Sequence, residues 1–98
     1  MNSITAKEVE ELMNKGEDLY IIDVREPGEV AAGKIPGGVN IPLGLIEFRM
    51  NELDKSKNYI MVCRSGARSG RATQFLKAYG YHATNMFGGM LAWEGPVQ

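Results

Sequence analysis

Cys63 is the single thiol of this chain, and it opens the segment Cys63-Arg64-Ser65-Gly66-Ala67-Arg68-Ser69. One cysteine leaves no partner for an intramolecular disulfide, a Cys-x-x-Cys redox pair or a cysteine-rich zinc site, so no metal and no cofactor is expected. A lone cysteine is ordinarily a small buried hydrophobe, and only its surroundings can argue otherwise. Here they do. Three of the five arginines, Arg64, Arg68 and Arg71, fall within eight residues of it. If the residues after Cys63 curl before a helix, their backbone N–H groups and the helix dipole form an anion cradle. Helix N-termini and nearby cations lower a cysteine pKa from about 8.5 to between roughly 3.5 and 7.5, which makes the thiolate a nucleophile near neutral pH. Arg64 and Arg68 are placed to stabilise that thiolate and to hold an anion by forked hydrogen bonds, while Arg71 adds to the field. The alternative is a solvated helix start, but cations are disfavoured at that end of a helix. Gly66 gives the loop positive-φ freedom and room for close approach.

The elements around the loop are legible from pattern. Thr5 and Glu8 form a Thr-x-x-Glu capping box, with Ile4 and Val9 as a hydrophobic staple, so a helix is expected from about Ala6 to a stop at Gly16. Leu19 to Val24 reads as a strand buried on both faces. Glu26-Pro27 opens a short helix that Gly33 ends, and Val39-Asn40-Ile41 is a short strand closed by Pro42. Leu45, Ile46, Phe48, Met50 and Leu53 fall roughly at helical spacing, which predicts a helix near residues 44 to 53. Tyr59 to Val62 reads as the central strand, with Cys63 the first residue past its C-terminal end. A helix from near Arg68 carries Ala72, Phe75, Leu76 and Tyr79 as its apolar stripe and stops at Gly80. Ala83 to Met86 is a last strand, followed by a turn through Leu91 to Trp93. Strands alternating with helices predict an α/β fold: a central, mostly parallel sheet of about five strands flanked by helices on both faces. Ligands bind at the C-terminal ends of the strands in such sheets, which is where Cys63 stands.

Composition bounds the rest. With 98 residues, 44% of them hydrophobic, the chain fits one domain spanning 1–98. Its net charge of −1 gives no sign of a nucleic-acid or membrane-surface binder. No apolar run reaches the roughly 20 residues needed to cross a bilayer, and no basic-then-apolar leader opens the chain, so a cytoplasmic monomer or weak homodimer is expected. Asp23, at a strand end, either orders the Cys63 loop from the neighbouring strand or caps backbone N–H groups, the latter being the commoner role. Arg25 either assists a substrate at the rim or pairs with Glu26 or Glu29. His82, at a helix-to-strand turn, is a surface residue rather than a base. Tyr79, Phe87 and Trp93 pack core or rim, and the six methionines fill the core.

The loop at Cys63 resembles the active-site loop of single-domain rhodaneses. The resemblance extends over nearly the whole chain: Ile22-Asp23-Val24-Arg25-Glu26-Pro27, then Ala32 to Pro42, then Phe87-Gly88-Gly89-Met90-Leu91-Ala92-Trp93, in the right order. It implies a rhodanese-like fold and sulfurtransferase activity. Cys63 is then the sulfur-accepting residue, and the backbone amides of Arg64, Ser65, Gly66, Ala67 and Arg68 hold the outer persulfide sulfur. The implied partners are a small anionic donor such as thiosulfate and an external thiol or protein acceptor, with cyanide serving in an assay. Two departures stand out: Lys34 where many members carry His, and Gly28 and Val30 where an acidic residue before an aromatic is common. Gly28 weakens a short helix by up to about 1 kcal/mol relative to Ala.

Related folds also serve phosphatases and arsenate reductases. As the resemblance implies, those enzymes use a Cys-x5-Arg cradle, wide enough for a tetrahedral oxyanion. In this chain the sixth position after the cysteine is Ser69, and Arg68 falls one place earlier, which matches the sulfur-transferring members. A non-catalytic binding or sensor module is the other alternative, although such modules usually lack the cysteine.

Overall fold

The structure, a computed structural model, describes residues 3–98. Five strands, β1 (Ser3–Thr5), β2 (Tyr20–Asp23), β3 (Val39–Asn40), β4 (Asn58–Val62) and β5 (His82–Phe87), form one sheet in the order β1-β5-β4-β2-β3. Every pairing is parallel, and β4 lies at the centre, as its unbroken apolar run predicts. The helices are α1 (Ala6–Asn14), α2 (Pro27–Ala31), the short α3 (Ile46–Arg49) and α4 (Ala67–Ala78).

Period-two alternation along the strands splits the core into two layers. Ile22, Tyr59, Met61, Cys63 and Ala83 pack with Ile46 of α3 and with Ala72 and Leu76 of α4. Ile21, Ile60, Val62 and Met86 pack on the opposite face with Ala6 and Val9 of α1 and with Trp93. The side chain after Val62 therefore belongs to the α4 layer. Continuing the alternation by one residue turns Cys63 under the helix that follows it.

Local signals explain most boundaries. The Thr5–Glu8 capping box is closed in both directions, with Glu8 N 3.1 Å from Thr5 Oγ1 and Thr5 N 2.9 Å from Glu8 Oε1. Pro27 occupies the first turn of α2, where its missing N–H costs nothing.

One strand adds to those named from the sequence, and one expectation is corrected. Ser3–Thr5 forms an edge strand beside β5; with three residues and only Ile4 packed inward, it has too little periodicity to read. The helix expected near 44–53 is instead a 3₁₀ turn (Leu43–Leu45), α3 and a second 3₁₀ turn (Met50–Glu52). Ile46 is buried and Met50 and Leu53 pack against its layer, but Phe48 is 84% exposed. Ile46, Met50 and Leu53 keep the i, i+4, i+7 stripe toward that layer, but the backbone departs from regular α-helical dihedrals at Leu45 (φ −108, ψ −2) and Arg49 (φ −107, ψ 2), where the helix breaks.

Candidate active site

The loop from Cys63 to Gly66 links β4 to α4, which begins at Ala67, one residue before the expected start. Gly66 has φ +103, and a Cβ there would stand 3.3 Å from Gly88 N. Both the left-handed conformation and the close approach call for glycine. This turn brings the Gly66 N–H to 3.0 Å from Cys63 Sγ, and the Ser69 hydroxyl, in the first turn of α4, lies 3.2 Å from the same sulfur. Cys63 is fully buried. Burial raises its pKa, but the Ser69 side chain and the backbone N–H groups of Ser69, Gly66 and Ser65 outweigh that and leave it lowered. The two readings of a lone cysteine therefore meet in one residue: it is a core side chain whose surroundings lower its pKa.

A second layer of contacts was not legible. Asn85, on β5, places Oδ1 2.5 Å from Ser69 Oγ and donates from Nδ2 to the Gly66 carbonyl at 3.1 Å. One buried amide thus ties together Ser69 and Gly66, two of the residues that contact the sulfur. The available signals were weak: Ser69 is a polar residue on the buried face shared by Ala72, Thr73 and Leu76, and Asn is disfavoured in strands.

The three arginines differ in surroundings. Arg64 and Arg71 are exposed. Arg68 forks onto Glu29 of α2, with Nη1–Oε1 2.7 Å and Nη2–Oε2 2.8 Å. Glu29 is itself fixed by the Glu26 N–H at 3.0 Å. The Arg68 hydrogen bonds, aided by the Glu26 N–H, hold the Glu29 pKa down to about 2. Glu29 in turn, with the Cys63 thiolate, raises the Arg68 pKa. The forked geometry anticipated for Arg68 is present, but its partner here is a carboxylate of the same chain.

Asp23 and Arg25 form a buried ion pair, Nη2–Oδ2 2.8 Å, and Asp23 Oδ1 also accepts the Arg25 N–H at 3.0 Å. Arg25 reaches on to the Gly33 carbonyl at 2.7 Å and the Glu29 carbonyl at 3.4 Å. Its ion-pair partner is therefore Asp23, not Glu26 or Glu29, because residues two apart along an extended segment face the same side. Among the described residues, neither side chain makes a hydrogen bond to residues 63–68. They tie β2 to α2, which carries Glu29 and so sets where Arg68 is held. Lys34 Nζ donates to the Gly38 carbonyl at 2.9 Å, a loop-bracing contact.

A groove of about 510 Å³ opens beside the loop, between Ser65, Gly66, Arg71, Gln74 and Phe87. A larger one, about 740 Å³, lies between Leu43, Ile46, Glu47 and Phe75 and includes no residue from 63 to 68. Only the smaller is lined by residues of the loop after Cys63. Tyr79 and Phe87 are exposed, whereas Trp93 packs in the core. Among the described residues, no helix is long and apolar enough to cross a membrane.

A buried cysteine with a lowered pKa at the C-terminal end of the central strand of a parallel sheet, cradled by the first turn of the next helix, defines a class of α/β protein. The chain belongs to the rhodanese-like domain family, which matches residues 5–96. It is 44% identical over 98 residues to the putative sulfurtransferase YtwF of Bacillus subtilis, covering all of this chain and 95% of that protein. It is 37% identical over 94 residues to a sulfurtransferase of Allochromatium vinosum, covering 95% and 88%. The crystal structure of a rhodanese-like domain protein from Staphylococcus aureus superposes with a TM-score of 0.94 at 37% identity, covering 100% and 97%.

Proposed function

We propose that this protein is a sulfurtransferase that carries a sulfane sulfur on Cys63. The observation that carries this reading is the Cys63 sulfur itself: buried, reached by the Gly66 N–H and Ser69 hydroxyl, and held with a lowered pKa by them together with the Ser69 and Ser65 N–H groups, against burial. Relatives named sulfurtransferase along the whole chain support the same chemistry.

The reaction is a double displacement. The Cys63 thiolate attacks the outer sulfur of a thiosulfate-like anion. The donor's S–S bond breaks, sulfite leaves with the electron pair, and Cys63 holds a persulfide whose outer sulfur rests against the amides of residues 64 to 68. An external nucleophile then attacks that sulfur, and the Cys63 thiolate leaves. The chain has no second thiol, so the acceptor comes from outside: a thiol or protein in the cell, cyanide in an assay. Arg64, exposed beside the loop, is free to meet the donor's charge.

The test is steady-state kinetics with thiosulfate and cyanide. The expected result is thiocyanate formation with a ping-pong pattern, abolished in Cys63→Ala. Hydrolysis of an aryl phosphate, lost in the same variant and without sulfur transfer, would establish the phosphatase alternative instead.

A further inference from the structure

The turn after β5 touches the back of the Cys63 loop. Met90 N donates to the Cys63 carbonyl at 2.9 Å, and Leu91 N donates to the Arg64 carbonyl at 3.0 Å. In a trans peptide the C=O and the following N–H point in opposite directions. Fixing those two carbonyls toward the turn therefore directs the Arg64 and Ser65 N–H groups away from it. Both belong to the stretch of amides proposed to hold the transferred sulfur.

The close approach depends on Gly89. With φ +59, a Cβ at this position would stand 2.5 Å from the Arg64 carbonyl oxygen and 2.6 Å from the Cys63 carbonyl oxygen. Both obstacles are backbone, so neither can swing aside. We infer that Gly89, with the Met90 and Leu91 N–H groups, is a positioning clamp that sets the direction of the loop amides facing the reacting sulfur. The clamp touches neither substrate nor sulfur and acts through the two peptide planes it grips. That the Ser65 N–H is among the groups lowering the Cys63 pKa agrees with this orientation.

The inference rests on Cys63 being a stabilised thiolate, and the experiment separates the two. The pH dependence of Cys63 alkylation by iodoacetamide is measured for the wild type, Gly89→Ala, Leu91→Pro and Gly80→Ala, with thermal unfolding of each. Gly80 has φ +88, its Cβ would meet only the flexible end of Lys55, and it is remote from the loop. Gly80→Ala should lower stability yet keep the wild-type midpoint. Gly89→Ala should raise the midpoint by about one unit, a tenfold loss of alkylation rate below it. Leu91→Pro deletes one donor at a residue that is 65% exposed, and should shift the midpoint in the same direction. A wild-type midpoint at that of a free thiol would overturn the thiolate reading itself. A lowered wild-type midpoint, retained by folded Gly89→Ala or by folded Leu91→Pro, would overturn the clamp alone. Failure of both variants to fold would also overturn it, making the turn a folding element.

Discussion

Replacing Ser69 with alanine removes the one side-chain donor to the Cys63 sulfur among the described residues, and the size of the effect follows from the hydroxyl's single proton. With the thiol protonated, the S–H can donate to Ser69 Oγ while Ser69 donates to Asn85 Oδ1. With the thiolate, Ser69 turns to the sulfur 3.2 Å away, and Asn85 Oδ1 loses its donor. A hydrogen bond to a charged acceptor is worth about 1.5–3 kcal/mol, and the released amide oxygen offsets about 1 kcal/mol of that. The net loss of about 0.5–2 kcal/mol corresponds to a rise of about 0.4–1.5 units in the Cys63 pKa. Iodoacetamide alkylation followed across pH, in wild type and Ser69→Ala, reads this directly, with urea unfolding confirming that the variant is folded. The same midpoint in both proteins, or a lower one in Ser69→Ala, would refute the reasoning.

Other perturbations probe the surrounding charges. Glu29→Gln should free the Arg68 fork and lower the KM for thiosulfate by about two- to fivefold, as one added charge-assisted contact allows, while Arg68→Ala should raise it; steady-state kinetics decide. The Glu29 pKa is lowered to about 2, so its ion pair contributes stability above the ordinary glutamate range and loses it as pH falls toward 2. The stability difference between wild type and Glu29→Gln, followed by urea unfolding across pH, should therefore shrink on acidification. Asp23→Ala strands Arg25 in a site where it is 8% exposed, and breaking a buried pair in this way costs about 3–5 kcal/mol. Urea unfolding should show that loss, while the Cys63 alkylation midpoint stays within a few tenths of a unit if the pair acts only as a brace.

The site was legible where its logic is local. A strand ending at Val62, a cysteine next, glycine at Gly66 and an apolar stripe from Ala72 onward place a thiol under a helix N-terminus without any long-range information. What escaped reading depends on contacts distant in sequence. Asn85 meets Ser69 from 16 residues away and Arg68 meets Glu29 across 39; neither pairing leaves a periodic trace. Gly89 carries the same difficulty, because the reason for glycine there is the backbone of residues 63 and 64, not its own neighbours. In the fold, the strongly patterned α1, β4 and α4 were recovered nearly to the residue. The three-residue β1 was not, because it buries too few side chains to impose a period, and the segment 43–53 keeps its apolar stripe while its backbone breaks at Leu45 and Arg49.

The most direct test of the account is intact mass after incubation with thiosulfate and removal of excess donor. The wild type should gain the mass of one sulfur atom, lose it on treatment with cyanide, and show no gain in Cys63→Ala. No added sulfur on the wild type, or an equal gain on Cys63→Ala, would contradict the assignment of Cys63 as the sulfur carrier.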